Sequence, residues 1–113
     1  MKTAELTGIA LDWAVGYVMG EKLRILERQI VWPEDYSPST DWAQSGPIVE
    51  REHIEWQWLP SSSKDHRYGA RKPSLSGAKR TFCMDGPTVL IAAMRCYVAS
   101  KLGDEVDIPE ELK

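Results

Sequence analysis

The feature that most limits how this chain can fold is an apolar segment near its C-terminus, from Thr88 to Leu102. Its apolar residues recur every three or four positions, which is typical of a helix. They are Leu90, Ala93, Met94, Tyr97, Val98 and Leu102. Gly86 or Thr88 suits the N-cap, and Gly103 suits the residue that ends a helix. The pattern predicts an amphipathic C-terminal helix.

A second amphipathic helix is predicted between Thr3 and Met19, followed by Gly20. Its apolar positions fall at i, i+3, i+4, i+7 and i+11. They are Leu6, Ile9, Ala10, Trp13 and Tyr17. Because 113 residues suffice for one core, we predict a single α+β domain over residues 1–113. Two main amphipathic helices pack on a small, mainly antiparallel sheet.

Three segments are predicted to form that sheet. Leu23 to Trp32 is rich in branched residues and stops at Pro33, and Arg80 to Met84 is the third segment. Between them, Ile54 to Leu59 alternates apolar and polar residues, as a half-buried strand does. The alternation places Trp56 and Trp58 on one face, and we expect both to build the core together with Trp13.

The segment before the alternating strand is ambiguous. A single helical turn carrying Trp42 is expected, capped by Ser39 or Thr40. Residues 48–53 fit a short helix with Pro47 at its first position, and they fit an extended segment equally well.

Two stretches are predicted to lack regular structure. Residues 60–78 are rich in serine, glycine and proline and read as a long mobile loop. Residues 104–113 form an acidic tail, which lays Val106 and Ile108 on the core before Pro109 releases it.

The composition favours a protein of the cytoplasm. No apolar run approaches the ~20 residues of a membrane span, and the N-terminus does not resemble a signal peptide. Cys83 and Cys96 are too few for a secreted disulfide scaffold, so both are expected to be small buried thiols.

Several blocks of the sequence resemble one family. They are TAELTG from Thr3, ALDWAV from Ala10, YSPSTDWAQ from Tyr36, GPI from Gly46, GPT from Gly86 and LIAAMRCYVASKLGDEV from Leu90. These blocks are similar to the NinX-like family, small proteins of bacteriophages and prophages whose function is unknown, and they cover about half of the chain. The resemblance implies a phage gene expressed in the bacterial host cytoplasm, and it implies no reaction. Residues 20–32 and 61–79 match no pattern of that family.

The clearest metal-like cluster is Glu50, Glu52, His53 and Glu55. A strand would divide the four between two faces, and a helix would bring only Glu52 and Glu55 together. We therefore interpret the cluster as a solvated charged face and predict neither a metal nor a cofactor. No phosphate-binding loop, nucleophile elbow or HExxH motif occurs, so catalysis is not favoured and no catalytic residue is assigned.

The first hypothesis is a non-enzymatic phage accessory protein that binds a host or phage macromolecule. Its candidate partner-binding residues are Tyr36, Asp41, Trp42, Glu50 and Arg51. Trp42 is the first choice for a binding residue, because an aromatic side chain in a polar, turn-rich loop either covers the core or belongs to a recognition surface.

Two alternatives remain open, as does homo-oligomer formation. The net charge is −3, yet residues 60–102 carry eight Lys or Arg against two Asp or Glu. Weak nucleic-acid binding through the basic loop 64–80 would use Lys64, Arg67, Arg71, Lys72 and Arg80. The other alternative is a small-molecule-binding protein or enzyme with a pocket between the C-terminal helix and the sheet.

Overall fold

The computed structural model describes residues 1–60, 63–73 and 81–113. Its helices are α1 (Gly8–Met19), α2 (Trp42–Arg51) and α3 (Val89–Leu102). Its strands are β1 (Arg24–Leu26), β2 (Gln29–Trp32), β3 (Glu55–Trp58), β4 (Tyr68–Pro73) and β5 (Thr81–Gly86). Short 3-10 turns lie at Thr3–Glu5, Lys64–His66 and Glu110–Leu112. The α+β prediction is confirmed, with β1–β2 in one antiparallel sheet and β3–β4–β5 in another.

The C-terminal helix α3 lies at the centre of the molecule. Every residue from Leu90 to Ala99 is buried, because α3 packs on β4 and β5 and also on α1. The hydroxyl of Thr88 accepts a hydrogen bond from the Ile91 amide at 3.1 Å, which caps the helix as predicted. Gly103 ends the helix at a φ of +87°.

The predicted strand from Leu23 to Trp32 is wrong, since this segment forms a hairpin of two strands, β1 and β2. The chain reverses at Glu27 and Arg28, whose φ values are +51° and +63°. Neither residue is a glycine or an asparagine, so the usual sequence signal for a two-residue turn is missing.

The ambiguous segment 48–53 is helical as far as Arg51, because α2 runs from Trp42 to Arg51, and residues 52 and 53 form a turn. The predicted cap was one or two residues early: Asp41, not Ser39 or Thr40, accepts a hydrogen bond from the Ala43 amide. Pro47 therefore lies inside the helix, not at its first position.

The expectation that Trp56 and Trp58 build the core is wrong, since they are 49% and 63% exposed. β3 is an edge strand of its sheet, and α3 lies mainly over β4 and β5. Ile54, just before the strand, is buried instead.

The mobile loop predicted at about 60–78 is wrong in part, because residues 68–73 form the central strand β4. Lys64–His66 form a 3-10 turn. Positions 61, 62 and 74–78 of the predicted loop lie outside the described residues, as does the start of the predicted strand at Arg80.

The C-terminal segment closes the core. Val106 and Ile108 are buried as predicted, but Pro109 does not release the chain, since Leu112 is buried as well. Of the two cysteines, Cys96 is buried and Cys83 is exposed, so only the first was predicted correctly. Burial raises the pKa of the Cys96 thiol to about 12, so it remains protonated at neutral pH. Within the described ranges, none of the helices has the length and apolar character needed to span a bilayer.

Candidate partner-binding groove

The groove is built around Trp42, the first residue of α2, whose side chain is 51% exposed. Asp41 precedes it and accepts hydrogen bonds from the Ala43 amide and from the Gln44 side chain, both at 2.9 Å. Gln44 also donates to the Asp35 carbonyl at 2.7 Å. These bonds fix the start of α2, and with it the position of Trp42.

A buried carboxylate holds the same loop against α1. Asp12 accepts a hydrogen bond from the Ser39 amide at 2.8 Å, and both residues are buried. Burial raises the pKa of Asp12, and the hydrogen bond from the Ser39 backbone opposes that rise. Sequence reasoning missed Asp12, although a carboxylate within an otherwise apolar helical stretch was a signal that could have identified it.

A groove of about 480 Å³ lies between three segments of the chain. They are residues 39–42, residues 67–68 at the start of β4, and residues 87–91 at the start of α3. Trp42 lines the groove together with Arg67 and Tyr68. Its other lining residues are Ser39, Thr40, Pro87, Thr88, Val89, Leu90 and Ile91. We call this the Trp42 groove.

The groove contains one residue from each of two predicted surfaces, the partner-binding surface and the basic loop. It does not contain the whole of the predicted partner-binding surface. Trp42 was a candidate for partner binding, and Arg67 was a candidate for nucleic-acid binding. Arg51 is nine residues beyond Trp42, which in a helix means half a turn around the axis and about 13 Å along it. Trp42 and Arg51 therefore face different directions.

The other partner-binding candidates lie toward the far end of α2 or outside it. Arg51 donates to Glu52 at 3.0 Å and to the Tyr97 hydroxyl at 3.2 Å, and its side chain is half-exposed. Tyr36 is half-buried, and burial together with the nearby carboxylate of Glu21 raises its pKa. Glu50 is exposed.

Glu52 belongs to a buried ion cluster, so the interpretation of its segment as a solvated charged face is wrong at this position. It accepts hydrogen bonds from Lys72 at 2.7 Å and from Arg51, and Lys101 lies 3.5 Å away. Burial alone would raise the pKa of Glu52, but the hydrogen bonds from Lys72 and Arg51 lower it to about 2. No group of three or more metal-ligating side chains converges anywhere in the described part of the chain.

The basic residues do not form one continuous surface. Lys72 is buried against Glu52, and Arg71 is paired with Glu55. Lys64 and Arg67 are exposed, whereas Arg80 lies outside the described residues. Much of the predicted basic charge is therefore neutralised within the fold.

A second concave surface of about 550 Å³ lies on the sheet, and no residue of α3 lines it. Its charged groups are paired with one another or with a neighbour. Arg71 donates to Glu55 through Nε at 3.1 Å, and Asp85 lies 2.7 Å from the Nδ1 atom of His66. Cys83 is exposed beside these pairs.

Together these features define a small α+β domain, three helices packed against two small antiparallel sheets, with a groove beside its central helix. The chain belongs to the family described as Bacteriophage P22, NinX, whose model matches residues 2–101. The predicted resemblance is thus confirmed over a longer part of the chain than the sequence blocks covered. A comparison with curated proteins finds no significant match.

Proposed function

We propose that this member of the NinX family is a non-enzymatic phage accessory protein that binds a host or phage macromolecule in the host cytoplasm, through the Trp42 groove. The observation that carries the proposal is the meeting of Trp42, Arg67 and Tyr68 in one groove. Tryptophan, tyrosine and arginine are the residues most enriched among those that dominate binding energy at protein interfaces.

The frame of the groove supports a binding role. Asp41 caps α2, the Ser39 amide is bonded to Asp12, and Thr88 caps α3. Each bond fixes one wall of the groove. A surface that is ordered before binding loses less conformational entropy when its partner arrives.

The chemistry of the lining also favours binding over catalysis. Among the described residues, no carboxylate, imidazole or thiol lines the groove. General acid–base catalysis at neutral pH most often uses one of these groups. The single cation, Arg67, suits an acidic or otherwise hydrogen-bond-accepting feature on the partner.

Quantitative capture from bacterial lysates, infected and uninfected, tests the proposal. The immobilised parent chain is compared with Trp42→Ala and Arg67→Ala variants. Truncating a central aromatic or arginine residue at an interface typically costs about 2 kcal/mol or more, which is roughly a thirtyfold loss of affinity. We expect both variants to lose the same proteins.

Two matched controls distinguish the groove from the rest of the surface. Trp32→Ala removes another half-exposed tryptophan, on β2, and Glu50→Ala changes an exposed residue at the other end of α2. Both variants should retain the parent's partners. If the groove variants and the parent recover the same proteins in the same amounts, the groove is not the binding surface.

Nucleic-acid binding remains the alternative, with less support. Arg67 beside Trp42 and Tyr68 could contact a phosphate backbone and stack bases, but Lys72 and Arg71 are engaged by carboxylates. Binding of a single-stranded oligonucleotide that weakens steeply with salt and disappears in Arg67→Ala would favour this alternative.

A further inference from the structure

The edge of the three-stranded sheet formed by β3 is the surface that the proposed function leaves unexplained. Trp56 and Trp58 expose large apolar side chains there. An edge strand also presents unpaired backbone groups, which are a template for pairing with another strand.

The hydrogen-bond register shows which backbone groups face outward. Leu59 donates its amide to the Arg67 carbonyl at 2.7 Å, so Leu59 faces β4. In an antiparallel ladder the direction alternates, and Glu55 and Gln57 therefore also face β4. The N–H and C=O groups of Trp56 and Trp58 point away from the sheet, and they have no partner among the described residues.

The opposite edge of this sheet is protected. Arg95 donates to the Asp85 carbonyl of β5 at 2.8 Å and to the Leu6 carbonyl at 2.7 Å. A side chain from α3 thus occupies part of that edge and ties it to the N-terminal segment. The β3 edge has no such cover in the described part of the chain.

We propose that two copies of this chain pair through β3, antiparallel, to form one continuous six-stranded sheet. Only one register satisfies all four outward groups of Trp56 and Trp58, and it places Trp56 of one copy opposite Trp58 of the other. Shifting it in either direction brings one tryptophan carbonyl to Ile54 or Pro60. The Ile54 amide already donates to the Val49 carbonyl, and proline has no amide hydrogen.

The side chains are self-complementary in this register. Because paired residues share a face, the four tryptophans of the dimer cluster on one side of the sheet, as two cross-strand aromatic pairs. On the other side, Gln57 lies on the two-fold axis opposite its own counterpart, where two amides can hydrogen-bond to each other.

Charges do not oppose this pairing. Glu55 is opposite Leu59 of the second copy, so no like charges face each other. Its carboxylate is already paired with Arg71 of its own chain. The charge of Glu55 is therefore balanced within each copy before the two copies pair.

The size of the interface sets the affinity range to be measured. Each copy contributes two half-exposed indoles and a four-residue strand. The total buried area is therefore below about 1,200 Å², the lower end for stable complexes. We therefore expect a reversible dimer, and sedimentation equilibrium should cover concentrations from about 10 µM to about 1 mM. A parent chain that remains monomeric across this range overturns the proposal.

Charged substitutions test the edge directly. Trp56→Lys combined with Trp58→Lys should weaken dimerisation at least a hundredfold, because facing lysines repel and the apolar contact is lost. Trp32→Lys makes the same chemical change on β2 and should leave the dimer intact. Equal dimerisation of the two variants, with unchanged circular dichroism, would exclude β3 as the interface.

A cross-linking experiment tests the register. In a Cys83→Ser background, a Gln57→Cys variant should form an intermolecular disulfide under mild oxidation, since the paired Cα atoms would be about 4.5 Å apart. Glu55→Cys lies on the same face, but its counterpart would be roughly 14 Å away. Cross-linking of both variants at the same rate contradicts the register.

Discussion

Two buried charged side chains determine much of how this molecule is held together. Arg95 is 7% exposed and donates to backbone carbonyls of two different segments. Glu52 is 8% exposed and accepts from Lys72, which is itself 7% exposed. Each charge is tolerated because its hydrogen-bond partners among the described residues carry the opposite charge or partial charge.

The Glu52–Lys72 pair gives the first prediction. A Glu52→Gln variant should lower the free energy of unfolding by about 3 kcal/mol, because the buried ammonium of Lys72 loses its counter-ion. Urea unfolding followed by circular dichroism measures the change. Glu55→Gln, which breaks the exposed pair with Arg71, should have little effect. Equal effects of the two variants would show that burial does not matter to the pair.

The same pair predicts the pH dependence. The folded-state pKa of Glu52, about 2, lies below its ordinary value of 4.5. The ionised carboxylate therefore stabilises the fold above about pH 4.5, and that stabilisation is lost as the pH falls toward 2. The difference between the parent and Glu52→Gln should consequently narrow over this acid range and stay constant near neutral pH.

Among the secondary-structure elements, the β1–β2 hairpin has the least favourable local sequence. Its two-residue turn places Glu27 and Arg28 at positive φ, where side chains with a Cβ are strained. A Glu27→Asn, Arg28→Gly variant supplies the residues that such a turn prefers. It should stabilise the hairpin by about 1 kcal/mol.

Amide hydrogen exchange at Leu26, which pairs with Gln29 directly across the turn, measures this effect locally, alongside urea unfolding. Gln29→Gly is the matched control, because it introduces a glycine one position later, inside β2, and should destabilise the hairpin. Slower exchange in the control than in the turn variant would contradict the strain argument.

Helices α1 and α3 could be predicted from the sequence because their signals are local, whereas α2 remained ambiguous. In α3, the spacing of the apolar residues lies within the helix and its cap, Thr88, directly precedes it. β4 could not be predicted, since its inward positions include Lys72, and only Glu52 from another element makes that burial acceptable. Likewise the alternation in β3 identified a strand correctly, but nothing in it revealed that Trp56 and Trp58 lie at a sheet edge.

The candidate site shows the same limit. Trp42 was identified from its polar surroundings, and Arg67 from the basic loop, but their meeting depends on where α2, β4 and α3 are placed. Asp12 and Ser39, which fix one wall, are separated by 27 positions in the chain. Contacts of this kind have no sequence period and appear only in the assembled fold.

The molecule as a whole is closed by its C-terminal segment. Residues 104–106 return to the N-terminal segment, where Thr3 donates to the Asp104 carbonyl at 2.8 Å and Val106 donates to the Met1 carbonyl at 2.9 Å. Val106, Ile108 and Leu112 then cover the core. The family model ends at residue 101, so this closure involves residues beyond the matched region.

The segment is therefore expected to be part of the cooperative fold, despite its acidic composition. Ile108→Ala should lower the free energy of unfolding by about 2–4 kcal/mol, through lost apolar burial and the cavity left behind. Asp107→Asn changes the exposed neighbouring residue and should shift stability by less than about 0.5 kcal/mol. If both variants unfold at the parent's urea midpoint, the C-terminal segment contacts the core without contributing to its stability. If Ile108→Ala alone is destabilised, the contacts between the two ends of the sequence belong to a single folding unit.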